Sequence, residues 1–157
     1  MEPVTIRLFG FFPVGSRDMI AYGSAFPGPS SITLPGNKRL IVESIAALAT
    51  VPNGQKPLIQ LGGFDTKGKQ TLFMAPIALQ YQMSAKPRPD SDQPDVVLDW
   101  FAMDNSLRLY VPYGGSLSLY GDRGQTMNHE GAVEVTISGY YEQLAVINFP
   151  WPFIQFP

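Results

Sequence analysis

Glycine and proline interrupt this chain so often that they decide its fold class. The 157 residues include 15 glycines and 15 prolines, and no helix-length stretch free of both holds apolar residues at a 3.6-residue period. Apolar and polar residues alternate instead, as in Leu107–Val111 and Val133–Ile137. Alternation between tight turns is typical of strands that bury one face. The sequence therefore predicts an all-β protein.

Eight to ten strands are expected, which is the number in a jelly-roll-like two-sheet β-sandwich. Asp65–Lys69 has the Asp and Gly of a hairpin turn, and Asp104–Asn105 is expected to form a second turn. The polar, proline-rich stretch Ser84–Asp95 is expected to be a mobile surface loop. The predicted strands are Thr5–Phe11, Ile32–Leu34, Arg39–Thr50, Pro57–Gly63, Thr71–Gln82, Val96–Met103, Leu107–Val111, Ser116–Tyr120 and one that starts at Val133 and closes at Gly139–Tyr141.

The segment Arg39–Thr50 is the most ambiguous of these. Its second half, Glu43–Ala49, has helical propensity, whereas Leu40–Val42 before it is rich in β-branched residues and Val51–Gly54 after it is a turn. We favour a long strand over a helix.

The composition excludes several functions. A net charge of -2 with scattered Lys and Arg provides no basic surface for nucleic acid. The absence of cysteine excludes disulfides, thiolate metal sites and a cysteine nucleophile. Glu2 and Pro3 stand where a signal peptide needs a basic region, and no apolar run approaches the roughly 20 residues that span a bilayer. We therefore expect no signal peptide, no membrane contact and no nucleic-acid partner.

The pattern divides the chain into an N-terminal strand and arm (residues 1–31), a sandwich core (32–147) and an extended C-terminal arm (148–157). The C-terminal arm carries aromatic rings and alternate prolines without a charge. Because proline there excludes a helix or a central strand, the rings must be buried some other way. They pack either on their own domain or on a neighbouring subunit. The expected partner-binding residues are Phe149, Trp151, Phe153, Ile154 and Phe156.

Several motifs resemble those of a loose group of bacterial and phage-borne β-sandwich proteins of uncharacterised function. They are Leu34–Glu43, Val51–Gln55, the strands around Tyr110 and Gly114, and the closing run Val135–Tyr140. The pattern covers roughly residues 32 to 141, and the chain departs from it at Gly36–Asn37 and in both arms. Its motifs are mostly turn and core residues, so the resemblance implies the fold and no activity.

No catalytic set or metal site is predicted. His129 is the single histidine, and a Ser-His-Asp centre needs a presented nucleophile that the chain lacks, since Gly114–Ser118 has no closing glycine. One histidine also cannot supply the two or three imidazoles of a typical zinc or cupin-type iron site. Asp or Glu side chains from distant strands stay as alternative metal ligands. No cofactor is expected.

Two sets of acidic residues are candidates for chemical sites. Asp90, Asp92 and Asp95 lack the spacing of an EF-hand, so a solvated loop explains them better than a calcium site. Asp99 and Asp104 flank Trp100 as paired carboxylates flank a glycosidase cleft. Their separation is not fixed by the sequence, and the predicted turn explains Asp104 better.

Exposed aromatic rings are the remaining candidates for a binding site. Tyr110 and Tyr120 lie opposite the apolar alternation of their strands, so their rings can face solvent and stack on a sugar or pack against a protein. Cross-strand pairing within one sheet is an equally good explanation. The possible ligand-binding residues are Trp100, Tyr110, Tyr113 and Tyr120.

These features favour a non-enzymatic structural subunit of a larger assembly, such as a capsid decoration (cement) protein of a phage virion. The expected partners are further copies of the chain, with a trimer favoured, and a second structural protein such as a capsid protein. The expected location is the virion, after assembly in the host cytoplasm. A carbohydrate-binding sandwich of the lectin or adhesin type is the alternative, and a glycosidase or cupin-type enzyme comes third.

Overall fold

The computed structural model describes residues 1–21, 29–69, 75–77, 81–85, 97–124 and 129–144. This part of the chain is an all-β sandwich of two antiparallel sheets, and it contains no helix long and apolar enough to cross a membrane. The strands are β1 (Glu2–Phe12), β2 (Ile20–Ala21), β3 (Ser31–Thr33), β4 (Lys38–Pro52), β5 (Leu58–Phe64), β6 (Ala75–Ile77), β7 (Tyr81–Ala85), β8 (Leu98–Val111), β9 (Ser116–Asp122) and β10 (Gly131–Gln143).

Six strands form the larger sheet, in the order β2-β1-β10-β4-β8-β7, and four form the smaller, in the order β3-β9-β5-β6. Consecutive long strands therefore lie mostly in different sheets. The inward residues of both sheets meet in one apolar cluster, in which Leu8, Ile45 and Val135 of the larger sheet join Ile59 and Leu117 of the smaller. All five are buried, as the alternation of apolar residues requires.

Backbone groups of residues 17–21 and 29–30 contact both sheets along one edge. The amide of Met19 donates to the carbonyl of Gly121 on β9 (2.8 Å), while β2 pairs with β1 through Phe11 and Ile20. Further on, the carbonyl of Pro29 accepts from the amide of Phe9 (2.9 Å). Backbone groups at this edge are thereby paired within the domain.

The prediction of a long strand at Arg39–Thr50 is confirmed, because β4 runs from Lys38 to Pro52 between β10 and β8. Helical propensity in Glu43–Ala49 is outweighed by ladder hydrogen bonds to two neighbouring strands. The hairpin turn at Asp65 is also confirmed. Its carboxylate accepts from the amides of Lys67 and Lys69, each at 2.8 Å, and Gly68 has a positive φ of 75°.

The prediction of a turn at Asp104–Asn105 is wrong. Both residues lie inside β8, where Asn105 pairs with Ile45 and Asp104 with Ala46. The strands expected at Val96–Met103 and Leu107–Val111 are therefore one strand, because the long partner β4 satisfies the backbone groups that a turn would have used.

The single strand expected at Thr71–Gln82 is also not what the fold contains. β6 pairs with β5 in the smaller sheet, whereas β7 pairs with β8 in the larger. Most of the predicted surface loop, residues 86–95, lies outside the described residues, while Ser84 and Ala85 belong to β7.

The predicted N-terminal strand is an integral part of the sandwich. β1 lies between β2 and β10 and contributes Ile6, Leu8 and Phe12 to the core. The predicted C-terminal arm, residues 148–157, lies outside the described residues. The closing strand at Val133–Tyr141 is confirmed as β10, which extends to Gln143.

Candidate functional site

The outer face of the six-stranded sheet carries the side chains most suited to recognition. Strand register arranges them in rows that cross the sheet. The rows at the two ends of the sheet hold apolar and aromatic side chains, and the rows between them hold mostly polar ones. One middle row, the polar band, is formed by Thr5, Ser138, Ser44 and Ser106.

The first of these ends, here called the apolar end, comprises Phe9, Phe11, Ile20, Leu48, Trp100 and Ala132. Phe11 pairs with Ile20 on one side and with Ala132 on the other. Ile20 is 49% exposed and Leu48 is 40% exposed, and the rings of Phe9, Phe11 and Trp100 are partly exposed. Two polar residues lie within the same rows: Thr50 is between Ala132 and Trp100, and Glu134, whose carboxylate is 3.7 Å from Arg7, is between Phe9 and Leu48. Clustered apolar side chains of this kind mark an interaction site more often than scattered ones do.

The second end, here called the tyrosine end, comprises Arg39, Ile41, Tyr110, Tyr113, Tyr140 and Glu142. Ile41 lies between Tyr140 and Tyr110 in one cross-strand row. It is only 3% exposed, yet it is not a member of the core cluster. The neighbouring side chains therefore cover Ile41 on the outside of the sheet.

A β-bulge at Glu43 explains why Ile41 faces outward. Val42 and Ser44 pair with Gly139 and Ser138, which are adjacent on β10, so Glu43 has no partner there. Because of the extra residue, the even-numbered residues of β4 face the core before the bulge and the odd-numbered residues face it after the bulge. Ile45 therefore points inward and Ile41 points outward.

Arg39 organises the tyrosine end. Its Nε and Nη2 donate to one carboxylate oxygen of Glu142, at 2.8 and 2.5 Å. Its guanidinium carbon lies 5.9 Å from the centre of the Tyr110 ring and 5.6 Å from that of Tyr113. The hydrogen bond from Arg39 to Glu142, reinforced by charge, raises the pKa of Arg39. Arg39 therefore stays cationic and holds two tyrosine rings around one ion pair.

The four aromatic residues predicted from the sequence do not form one site. Tyr110 and Tyr113 share Arg39, whereas Trp100 lies on the same strand as Tyr110 at the opposite, apolar end. Tyr120 is on β9 in the other sheet, where its ring meets that of Phe64 edge to face with centroids 6.3 Å apart. As predicted, Tyr110 and Tyr120 face away from the core, with 44% and 40% of their surfaces exposed.

Asp99 and Asp104 do not form a carboxylate pair. Asp99 is on the inward face of β8, is 1% exposed and accepts a hydrogen bond from the amide of Gly54 (2.9 Å). Asp104 is exposed on the outward face. Five residues of strand also separate the two by about 17 Å, well beyond the reach of a glycosidase acid pair.

His129 serves the fold through its backbone. Its carbonyl accepts from Nη1 of Arg123 (2.7 Å), and its buried Nδ1 has no hydrogen-bond partner among the described residues. Arg123 is fully buried and also donates to the carbonyls of Ser16 (2.7 Å) and Pro13 (2.8 Å). Burial lowers the pKa of Arg123. This cation ties two loops together at the edge of the sandwich.

A cavity of about 300 Å³ lies beside this cation and is lined by Gly54, Gln55, Lys56, Arg123 and Gly124. The described residues of this lining include no hydroxyl, thiol, imidazole or carboxylate side chain. Among the residues that the structure describes, no three His, Cys, Asp or Glu side chains are placed to share a metal ion. The acidic loop residues Asp90, Asp92 and Asp95 lie outside that set, as do all five predicted partner-binding residues of the C-terminal arm.

Sequence reasoning missed most of the outer face. The sequence pattern that predicts aromatic side chains on this face is present in β1, where Phe9 and Phe11 alternate with the core residues Leu8 and Phe12. Arg39 and Glu142 carried no such signal, because only the register of β4 with β10 brings them together.

Comparisons of the chain with protein-family models, curated proteins and solved structures found no match. The geometry of the two ends of the outer sheet face is therefore the basis on which a function can be proposed.

Proposed function

We propose that this protein is a non-enzymatic structural subunit of a larger assembly, of the kind represented by a capsid decoration protein of a phage virion. The observation that carries the proposal is the apolar end. Leu48 and Ile20 lie exposed in two neighbouring rows that also hold Phe9, Phe11 and Trp100. These rows are on the outside of a sheet whose inner face is already covered by the core. Such a surface costs solubility in a lone subunit and contributes free energy when another protein covers it.

The strand order supports the same proposal. We infer that β1-β10-β4-β8 and β3-β9-β5-β6 are the two sheets of a jelly roll, with β2 and β7 added at the edges of the larger sheet. Capsid, lectin and cupin domains share that architecture, so it is compatible with an assembly subunit without selecting it.

Light scattering at micromolar concentration tests the proposal. We expect the mass of an oligomer, with a trimer favoured, because closed symmetry buries the apolar end. If the mass stays at 17.3 kDa, the mass of one chain, at concentrations up to about 100 times higher than micromolar, the main support for the assembly proposal is removed. Cosedimentation of the protein with phage particles then distinguishes a virion component from an assembly of another kind.

Carbohydrate binding is the second candidate, and the tyrosine end is the observation that favours it. Tyr110 and Tyr113 present two rings around the Arg39–Glu142 ion pair, and flat rings next to charged hydrogen-bonding groups suit a sugar. Tyr110→Ala should abolish binding to a glycan array, whereas Tyr120→Ala, on the other sheet, should leave it unchanged. Equal binding by both variants would exclude this site.

A further inference from the structure

We propose that the apolar end of one subunit receives the C-terminal segment Phe149–Pro157 of a second copy of the chain. The proposal rests on the proposed function, because it requires that subunits associate. It names the surface on which they do so and the segment that occupies that surface.

The position from which the segment starts is known. The amide of Leu144 donates to the carbonyl of Asn37 at 2.9 Å, which fixes the chain just beyond the tyrosine end. Ala132, in the row of Phe11 and Trp100, lies twelve residues back along β10. At about 3.3 Å per residue, that row is about 40 Å from Leu144.

The segment cannot bring all three of its aromatic anchors, Trp151, Phe153 and Phe156, to the row of Ala132 on its own sheet. Only Phe156, twelve residues beyond Leu144, reaches that far, at most about 43 Å in a fully extended chain. Trp151 and Phe153 are seven and nine residues beyond Leu144. A fully extended chain takes them at most about 25 and 32 Å away, and a polyproline course, favoured by Pro150 and Pro152, takes them less far. A second copy is not subject to this limit, because its Leu144 can approach from the open side of the face.

The chemistry of the two surfaces matches. The segment Phe149–Pro157 contains no charged residue, and the carboxylate of Glu134, which lies between Phe9 and Leu48, has the cation of Arg7 3.7 Å away. Trp151, Phe153 and Phe156 can each bury about 150–250 Å². Together they approach the roughly 800 Å² per partner of a standard interface. The polar band, by contrast, consists of hydroxyl side chains. Aromatic rings that covered them would remove their water and offer no hydrogen bond in return, which is unfavourable.

Disulfide trapping tests the proposal directly, because the chain has no cysteine of its own. Gln155→Cys labels the segment without removing an anchor, and Ala132→Cys labels the exposed apolar end. Each substitution is made in a separate protein, and one protein carries a size tag, so that a tagged mixed dimer forms only between chains. The control acceptor is Ser138→Cys, on the same strand and face but in the polar band.

We expect the mixed dimer of Gln155→Cys with Ala132→Cys to form at least about fivefold more than that with Ser138→Cys. Equal yields, or no mixed dimer, would overturn the proposal. A single chain that carries both Gln155→Cys and Ala132→Cys provides a further check. If it forms an intramolecular disulfide and no disulfide between chains, the proposal is overturned, because the segment then covers its own sheet. The mass of the unmodified protein is measured in parallel. If it is an oligomer and trapping fails, only this inference is wrong; if it is a monomer, the proposed function fails as well.

A pair of lysine variants provides a second measurement that needs no disulfide. Leu48→Lys places a charge in the apolar end at a position 40% exposed, so the fold can accommodate it. Thr136→Lys places the same charge on the same face, one row closer to the polar band. We expect Leu48→Lys to weaken association roughly tenfold or more and Thr136→Lys to change it less than about threefold. An unchanged association constant for Leu48→Lys would contradict the proposal.

Discussion

At the scale of single residues, Arg123 shows how a buried charge can serve architecture. Its guanidinium donates to three backbone carbonyls, from Pro13, Ser16 and His129. Two of these belong to the loop after β1 and the third to the residues before β10, so one side chain joins segments that are distant in sequence. Its carbonyl partners satisfy the hydrogen-bonding capacity that burial would otherwise leave unmet.

Replacing Arg123 with Met should destabilise the protein by about 3 kcal/mol, because three buried carbonyls lose a charged donor while the side-chain volume is roughly kept. Urea unfolding followed by circular dichroism measures this change. Arg17→Met is the matched control, since Arg17 pairs with Asp122 at the surface (2.9 Å) and should cost less than about 1 kcal/mol. Equal losses in the free energy of unfolding would show that the buried hydrogen bonds of Arg123 contribute no more to stability than a surface ion pair does.

His129→Ala and Asp99→Asn should leave assembly and partner binding nearly unchanged. Asp99 is buried on the inward face of β8, and Nδ1 of His129 is buried near the edge of the sandwich where its carbonyl meets Arg123. Asn at position 99 keeps an oxygen that can accept from the amide of Gly54, so a stability loss of about 1 kcal/mol is the main effect expected. Light scattering and cosedimentation are the measurements. Loss of either property, with the melting transition retained, would show that one of these side chains takes part in assembly. Loss of the biological activity with assembly intact would move an enzymatic function to first place.

At the scale of elements, the bulge between β4 and β10 decides the character of the tyrosine end. It turns Ile41 outward and leaves Gly139 against the backbone of β4, where an added Cβ would collide with the carbonyl oxygen of Ile41. Glycine at position 139 thus permits close approach of two strands at the irregularity.

Gly139→Ala should lower the free energy of unfolding by about 2 kcal/mol, because the two backbones must separate to accept the methyl group. Gly36→Ala is the control, since an added Cβ there meets nothing within 4 Å and its effect should stay within about 0.5 kcal/mol. Thermal or urea unfolding compares the two. A neutral Gly139→Ala would mean that the strands at the bulge can shift without cost.

The C-terminal segment is the second element with a separable role. Deleting Phe149–Pro157 should leave a folded sandwich, because β10 ends at Gln143 and all strands of the two described sheets precede the deleted segment. The truncated protein should lose assembly, at roughly 2 kcal/mol or more for each buried aromatic anchor removed. Circular dichroism and light scattering measure the two properties independently. An unfolded truncation would place the segment in its own core, and unchanged assembly would show that it does not take part.

At the scale of the whole molecule, the two sheets differ in what they offer to other molecules. The outer face of the larger sheet carries an apolar end and a tyrosine end, separated by about 23 Å along the strands between the rows of Leu48 and Ile41. The polar band lies between them. The proposed contact with a second copy of the chain therefore uses one end and leaves the other available to a ligand or a further partner.

The sequence by itself determined the all-β class, because local alternation and the positions of glycine and proline depend only on neighbouring residues. β4 and β10 were predictable for that reason, as were the outward positions of Tyr110 and Tyr120. The continuity of β8 through Asp104–Asn105 was decided by pairing with β4, which no local pattern records. The same holds for the bulge at Glu43, the grouping of Arg39 with Tyr110 and Tyr113, and the burial of Arg123. Each depends on register between strands far apart in the chain, and register is set by the packing of the whole sandwich.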